Sequence, residues 1–281
     1  MKSQYSPPTY DWEQLMKMNR LKAGELIGKT EKEITPAPFI VNPFSPHINS
    51  SSIRFVCTSD THKGLNTVPR GIPSGDVFIH AGDISQQSFV QEIDLFCDIV
   101  THLNFTAKFL VKGNHDIAIH DQGYLELVGK QFGHNPIPSV NEELRKVKEC
   151  ITILDNEVVT FSGIRILGIT DPDYRLDAVT YGPPFDSSTS NFGQVDILVS
   201  HVPPMGILDL DHRGVHAGQL ALLYKVRTEW KPKVHIFGHM HSNYGTFFDG
   251  QTLFINASAS MGLDNPKNPV IAFDYPIPSG I

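Results

Sequence analysis

Two histidines, His239 and His241, flank one methionine in GHMH, directly after the apolar run VHIF at 234–237. Imidazole nitrogens ligate metals and carry protons near neutral pH. On a helix, residues two apart point away from each other; on a strand, residues i and i+2 share a face. If VHIFG is a buried strand, both rings lean to the same side beyond its end. That suits metal binding, but one pair is too few, so other segments must bring the remaining ligands.

Four more apolar runs end in polar residues of the right kind. CTSDTH places Asp60 and His62 two apart, HAGDIS places Asp83, VKGNHD places Asn114, His115 and Asp116, and VSHVPP places His201. Oxygen and imidazole donors without thiolates suit Mn, Fe or Zn in a catalytic site rather than a structural Cys-rich zinc site. Each piece alone has a plainer reading. An Asp or Asn after a strand commonly caps a turn or helix, and a His before two prolines is as often a core residue. The set carries more weight, because ligands of α/β sheets bind beyond the carboxyl ends of the strands.

The elements that must position these residues are legible as apolar runs. Strands are expected at 53–59, 76–82 and 107–114, with a helix at 89–103 between the second and third. Residues 120–150 read as helical or irregular, and 151–170 as three short strands joined by turns at Asp155–Asn156 and Ser162–Gly163. A strand at 195–201 and a helix at 218–230 follow. Closing strands are expected at 233–239, 244–250, 251–258 and 269–275. This alternation builds layered α/β folds. Residues 1–52, rich in Pro, Ser and Asn, read as an N-terminal arm with one helical patch at 11–27, set off from a main domain at 53–281.

Composition narrows the function classes. The chain of 281 residues carries a net charge of -7, against a nucleic-acid polymer or an anionic membrane as partner. Its most basic stretch, ELRKVKE, is interleaved with acids and reads as a solvated helix face. The three cysteines, Cys57, Cys97 and Cys150, show no CxxC spacing and sit in or beside apolar runs. Reduced, buried thiols in a cytoplasmic protein are expected. The first residues contain no apolar segment of signal-peptide type, and no apolar run is long enough to span a bilayer.

In this order, D-x-H, G-D, G-N-H-D, a strand-end His and G-H-x-H resemble the signature of calcineurin-like metallophosphoesterases. FVCTSDTH, SHVPPMGILD and HIFGHMHSNYG resemble more closely the metallophosphoesterase-domain-containing branch, whose members include phosphodiesterases. The resemblance spans roughly residues 53–275. It implies a four-layer α-β-β-α sandwich of two mixed sheets and two divalent cations, Mn, Fe or Zn. Asp60, His62 and His241 would hold one cation and Asn114, His201 and His239 the other, with Asp83 bridging them. Every ligand position of the motif is filled; Asp116 stands where close relatives often carry Glu.

The implied reaction is in-line attack on phosphorus by a metal-bridging hydroxide. His115, with no metal assigned, protonates the leaving group, and Asp116 orients His115 or supports the site. The implied substrate is a small phosphoester, with a diester, including a cyclic nucleotide, favoured. Asn114, His115, Asn243 and Tyr244 are candidate substrate contacts. The aromatic loop at 171–194, with Tyr174, Tyr181, Phe185 and Phe192, either stacks on a nucleobase or packs on itself. A phosphomonoesterase and a low-activity metal-binding scaffold remain the alternatives. Oligomeric state is not legible.

Overall fold

A strand covered on both faces needs apolar residues along its whole length. The runs at 52–58, 77–80, 197–200 and 234–237 come close to that condition, with Arg54, His80 and His235 among the polar exceptions, and every residue in them is buried. A computed structural model describes residues 6–47, 49–170, 192–262 and 266–278. The chain begins with α1 (Trp12–Lys17), α2 (Arg20–Thr30), β1 (Ile40–Val41), β2 (Ser52–Thr58), β3 (Val77–His80), α3 (Val90–His102) and β4 (Ala107–Leu110). It continues through α4 (Gln122–Gly129), α5 (Val140–Cys150), β5 (Thr152–Ile153), β6 (Glu157–Phe161), β7 (Ile164–Ile169) and β8 (Ile197–Ser200). It closes with α6 (Leu220–Lys225), β9 (Val234–Phe237), β10 (Gly245–Phe248), β11 (Leu253–Asn256) and β12 (Ile271–Pro276).

These strands form two six-stranded mixed sheets, ordered β1-β12-β2-β3-β4-β5 and β10-β11-β9-β8-β7-β6. In the first, β2 to β5 are parallel and β12 runs against its neighbours β1 and β2. In the second, β7, β8, β9 and β11 are parallel, with β6 and β10 antiparallel at the edges.

Strand alternation divides the side chains among three cores. Phe55, Cys57 and Ile79 of the first sheet meet Ile166, Val199, Ile236 and Ile255 of the second. Val56 and Phe78 point the other way and pack with Ile93 and Phe96 of α3 and Val147 of α5. On the far side, Leu198, Phe237 and Phe254 pack against Leu15, Ala23 and Ile27 of the N-terminal helices and Leu222 and Leu223 of α6. The result is the expected helix–sheet–sheet–helix sandwich. Each large apolar side chain fully buried in it contributes on the order of 1.5–3 kcal/mol.

Several details differ from the sequence expectation. The patch at 11–27 is two helices, because Met18 and Asn19 are extended between them and the Asn19 side chain accepts from the Leu21 amide at the start of α2. The N-terminal segment also adds β1 to the edge of the first sheet. Arg227 joins α2 to the body through two buried carboxylates, Glu31 and Asp249. The helix expected at 218–230 changes to a wider π turn over Val226–Trp230. Cys57 is buried, but Cys97 and Cys150 are only partly so. ELRKVKE is not wholly solvated: Glu143 is buried and pairs with Lys146, which also reaches Asp94 of α3. Of the loop at 171–194, residues 171–191 with Tyr174, Tyr181 and Phe185 lie outside the described residues, whereas Phe192 packs near Trp230 in the third core. Among the described residues, no helix is long and apolar enough to cross a membrane.

Candidate metal centre

Past their last residues, β2, β3, β4, β8 and β9 continue as loops that go on pairing. The Asp60 amide donates to the Gly82 carbonyl, the His62 amide to Asp83, and the Gly238 amide to His201. Ser59 pairs with Ser258, which joins the two sheets at this end. All seven ligand candidates meet there. One ligand atom from each of Asp60, His62 and His241 lies within 4.8 Å of the others, and the same holds for Asp60, Asp83 and His201. Asn114 Oδ1 is 3.0 Å from His201 Nε2. The rings of His201 and His239 are 5.1 Å apart.

Backbone strain is concentrated at these residues. Asp60, His62, Asp83 and His239 have φ of 51°, 48°, 59° and 67°, a region that residues with a Cβ enter at a cost. Such conformations persist where surrounding structure enforces them, commonly at functional sites. The glycines of the motifs answer to crowding. A Cβ on Gly113 would stand 2.2 Å from Asp83 Oδ1, and one on Gly238 would stand 2.1 Å from Asp60 Oδ2.

The GHMH histidines are not placed by strand alternation. β9 ends at Phe237, His239 turns the chain in the left-handed region, and His241 begins a short 3-10 turn. The two rings part: His239 lies against His201, whereas His241 lies 5.4 Å from the His62 ring and 3.1 Å from Asp60 Oδ1.

The protonation chemistry fits a cation-binding set. His62 Nδ1 donates to the Ser85 carbonyl, and its buried Nε2 has no protein partner. Burial lowers His62 and brings His239 down to about 4, so both keep a free lone pair at neutral pH. Burial opposes charge on Asp60 and Asp83. The His241 hydrogen bond on Asp60 and the His201 charge beside Asp83 nonetheless hold both below the ordinary carboxylate range. His201 Nδ1 donates to the Ala81 carbonyl at 2.8 Å, which turns Nε2 toward Asn114 and Asp83. Burial opposes a proton there, but the Asp83 carboxylate raises His201 to about 10. Electron-rich atoms that hold a proton this firmly would hold a divalent cation, and neutral imidazole, carboxylate and amide oxygen are suitable donors.

His115 lies at the edge of this cluster, its ring 5.1 Å from that of His62. Its Nδ1 donates to the Gln86 carbonyl at 2.7 Å, leaving Nε2 as the atom able to exchange a proton. Asp116 is not behind that ring. Its buried carboxylate accepts from the amides of Asp83, Gly113 and Ser85 and from the Ser85 hydroxyl. It ties the Asp83 loop to the Asn114 loop and is itself fully buried. Burial, together with the Asp83 charge, pushes it up to about 7.

The other substrate candidates divide. Asn114 and His115 border the cluster. Asn243 donates to the Leu210 carbonyl, as does the Ser242 hydroxyl, so this turn is pinned to the loop before α6. Tyr244 is half-buried and packs on the core between the sheets. A cavity of about 520 Å³ opens beside His239 and His241.

Sequence reasoning missed the supporting residues. Ser258 donates to Asp60 Oδ2 at 2.7 Å from the end of β11, and Gln86 orients His115. Two buried histidines act in parallel: His80 meets the hydroxyl of Thr61 at 2.9 Å, and His235 that of Ser200 at 2.8 Å. Each hydroxyl belongs to a residue adjacent to a ligand candidate. The only advance signal was a histidine inside an otherwise apolar strand.

The chain is similar to known proteins. The family model for calcineurin-like phosphoesterases matches residues 53–243. The human and mouse proteins called metallophosphoesterase domain-containing protein 1 are each 33% identical over 236 residues, which is 80% of this chain and 72% of the relative. A UPF0046 protein of Caenorhabditis elegans is 30% identical over 241 residues, 83% of this chain and 84% of the relative.

Proposed function

Because the chain belongs to the calcineurin-like phosphoesterase family, we propose that it hydrolyses small-molecule phosphodiesters with two divalent cations, a cyclic nucleotide being one candidate substrate. The observation that carries the reading is the convergence of two ionised aspartates with imidazole nitrogens, including the partnerless His62 Nε2. Asp60, His62 and His241 would hold one cation, Asn114, His201 and His239 the other, and Asp83 would serve both. Bound there, Mn, Fe or Zn would supply Lewis acidity toward the phosphoryl oxygens and lower the pKa of water.

The chain's own residues do the rest. His115 gives a proton from Nε2 to the leaving-group oxygen, with its ring fixed by Gln86. Asp116 holds the Asp83 and Asn114 loops at fixed separation through backbone amides. Ser258 and the His239 amide fix the Asp60 carboxylate. Loaded with two cations, the Asp60 and Asp83 cluster would carry net positive charge and would attract an anionic ester even though the chain carries -7. The free cysteines fit a reducing compartment, and the cytoplasm is the proposed location.

Reconstitution tests the reading. The protein is stripped of metal, given Mn, Fe or Zn singly, and assayed on a bis-aryl phosphate and the matching mono-aryl phosphate while bound metal is counted. About two metals per chain with faster diester cleavage is expected. Preference for the monoester would make it a phosphomonoesterase. Bound metal without cleavage of either ester would make it a scaffold, and a folded chain holding less than one metal would overturn the site.

A further inference from the structure

The cavity beside the metal centre has a composition that a bare phosphate would not require. His239 and His241 line it on the side of the metal centre; Met240 and Met261 give it apolar walls, and Arg213 also lines it. Met261 is 57% exposed and lines this cavity beside the metal centre. The Arg213 guanidinium is held by Asp211 through Nε and Nη2, at 2.9 and 2.8 Å, and is 63% exposed. A guanidinium held along one edge by a carboxylate keeps its flat face free for stacking, while its charge is already balanced.

The walls are fixed before anything binds. Asn256 donates to the carbonyls of Met240 and Leu208, joining the end of β11 to one lining residue and to the loop that leads to Asp211. The Leu210 carbonyl takes hydrogen bonds from Ser242 and Asn243. Asp211 accepts the amides of Arg213 and Val215, which closes the turn that carries Arg213.

We infer that this cavity recognises an uncharged aromatic ring on the ester, and that Met261 and Arg213 set that preference. The inference deepens the phosphodiesterase reading and rests on it. A second phosphate is the poorer occupant, because Arg213, the one guanidinium or ammonium among the described lining residues, is already balanced by Asp211. Thioether methyls and a guanidinium plane suit the faces and edges of a ring.

The test reads binding rather than turnover. Methionine methyl groups carry ¹³C in the metal-loaded protein, and phenyl phosphate, thymidine monophosphate and methyl phosphate are titrated separately. The two ring-bearing ligands should shift the Met261 and Met240 signals and bind about tenfold more tightly than methyl phosphate. Met261→Ala and Arg213→Ala should each bring that ratio toward one at unchanged metal content. Tighter thymidine monophosphate would identify the ring as a nucleobase; equal affinities would identify a simple aryl ester. Unshifted methionine signals, or a ratio that both variants preserve, overturns the pocket even if diesters are cleaved. Shifted signals in a protein that cleaves no ester leave the pocket standing and remove the activity.

Discussion

The backbone amide of His239 donates to both carboxylate oxygens of Asp60, at 3.1 and 2.9 Å, across 179 residues of sequence. Asp60 leaves the first sheet and His239 the second, so this contact exists only when the sheets are packed. A cation held by Asp60 is therefore held by the native state alone, and binding must stabilise the fold by mass action. At a free metal concentration of about 100 Kd the gain is about 2.7 kcal/mol, with each kcal/mol raising Tm by roughly 2–4 °C for a chain near this size. Asp60→Ala should abolish the metal-dependent part of that rise, and calorimetry with and without metal checks it.

His115→Ala should retain both metals and lose on the order of 10²–10⁴-fold in turnover, because only a proton donor is removed. Metal analysis and kinetics on one preparation test this. Loss of metal with unchanged activity per bound ion would make His115 a ligand instead.

Asp116→Asn should act through structure. An amide nitrogen in place of one oxygen would face the donors now on Asp116, stranding buried N–H groups at about 1–3 kcal/mol each. The variant should melt lower and bind metal more weakly, while any enzyme that remains loaded keeps its pH–rate profile. A shifted profile in fully loaded protein would assign Asp116 to the proton transfer.

Gly113→Ala would force a Cβ to 2.2 Å from Asp83 Oδ1. Metal occupancy should collapse while the far-UV spectrum stays native. Gly123→Ala, in the first turn of α4 with its nearest neighbour at 3.4 Å, is the control. It should stabilise by up to about 1 kcal/mol.

One pH dependence should come from outside the metal centre. His216 donates to the buried Asp209 at 2.6 Å and lies against Gly24 and Gly28 of α2. The Asp209 hydrogen bond raises its pKa. A raised folded-state pKa contributes stability that is complete below the unfolded value, near 6.5, and is lost as pH rises through the folded value. Protease cleavage within α1 and α2 should therefore quicken above neutrality, and His216→Gln should flatten that dependence. Cleavage that ignores pH would show that this pair does not hold the N-terminal helices.

How much could be read without coordinates follows from the range of the forces involved. Strands buried on both faces announce themselves as apolar runs, so most strands and the layered architecture were legible. The residues that gather at the strand ends were legible too, since Asp60, Asp83, Asn114 and the strand-end histidines are defined by type and by position after those runs. Short elements escaped: β1 has two residues and is held by pairing with β12 alone. The strand argument for GHMH placed both rings near the site, but their separation came from the left-handed turn at His239, which no periodicity encodes.

The sequence by itself determined which residues could ligate, which runs would be buried and which family pattern they follow, because these depend on residue type and local spacing. Only the tertiary structure decided that Asp116 braces loops and Gln86 aims His115. It also decided that Ser258 and His239 hold Asp60 and that Met261 faces a cavity. These contacts join segments far apart in the chain, and their geometry is set by the packing of one sheet on the other.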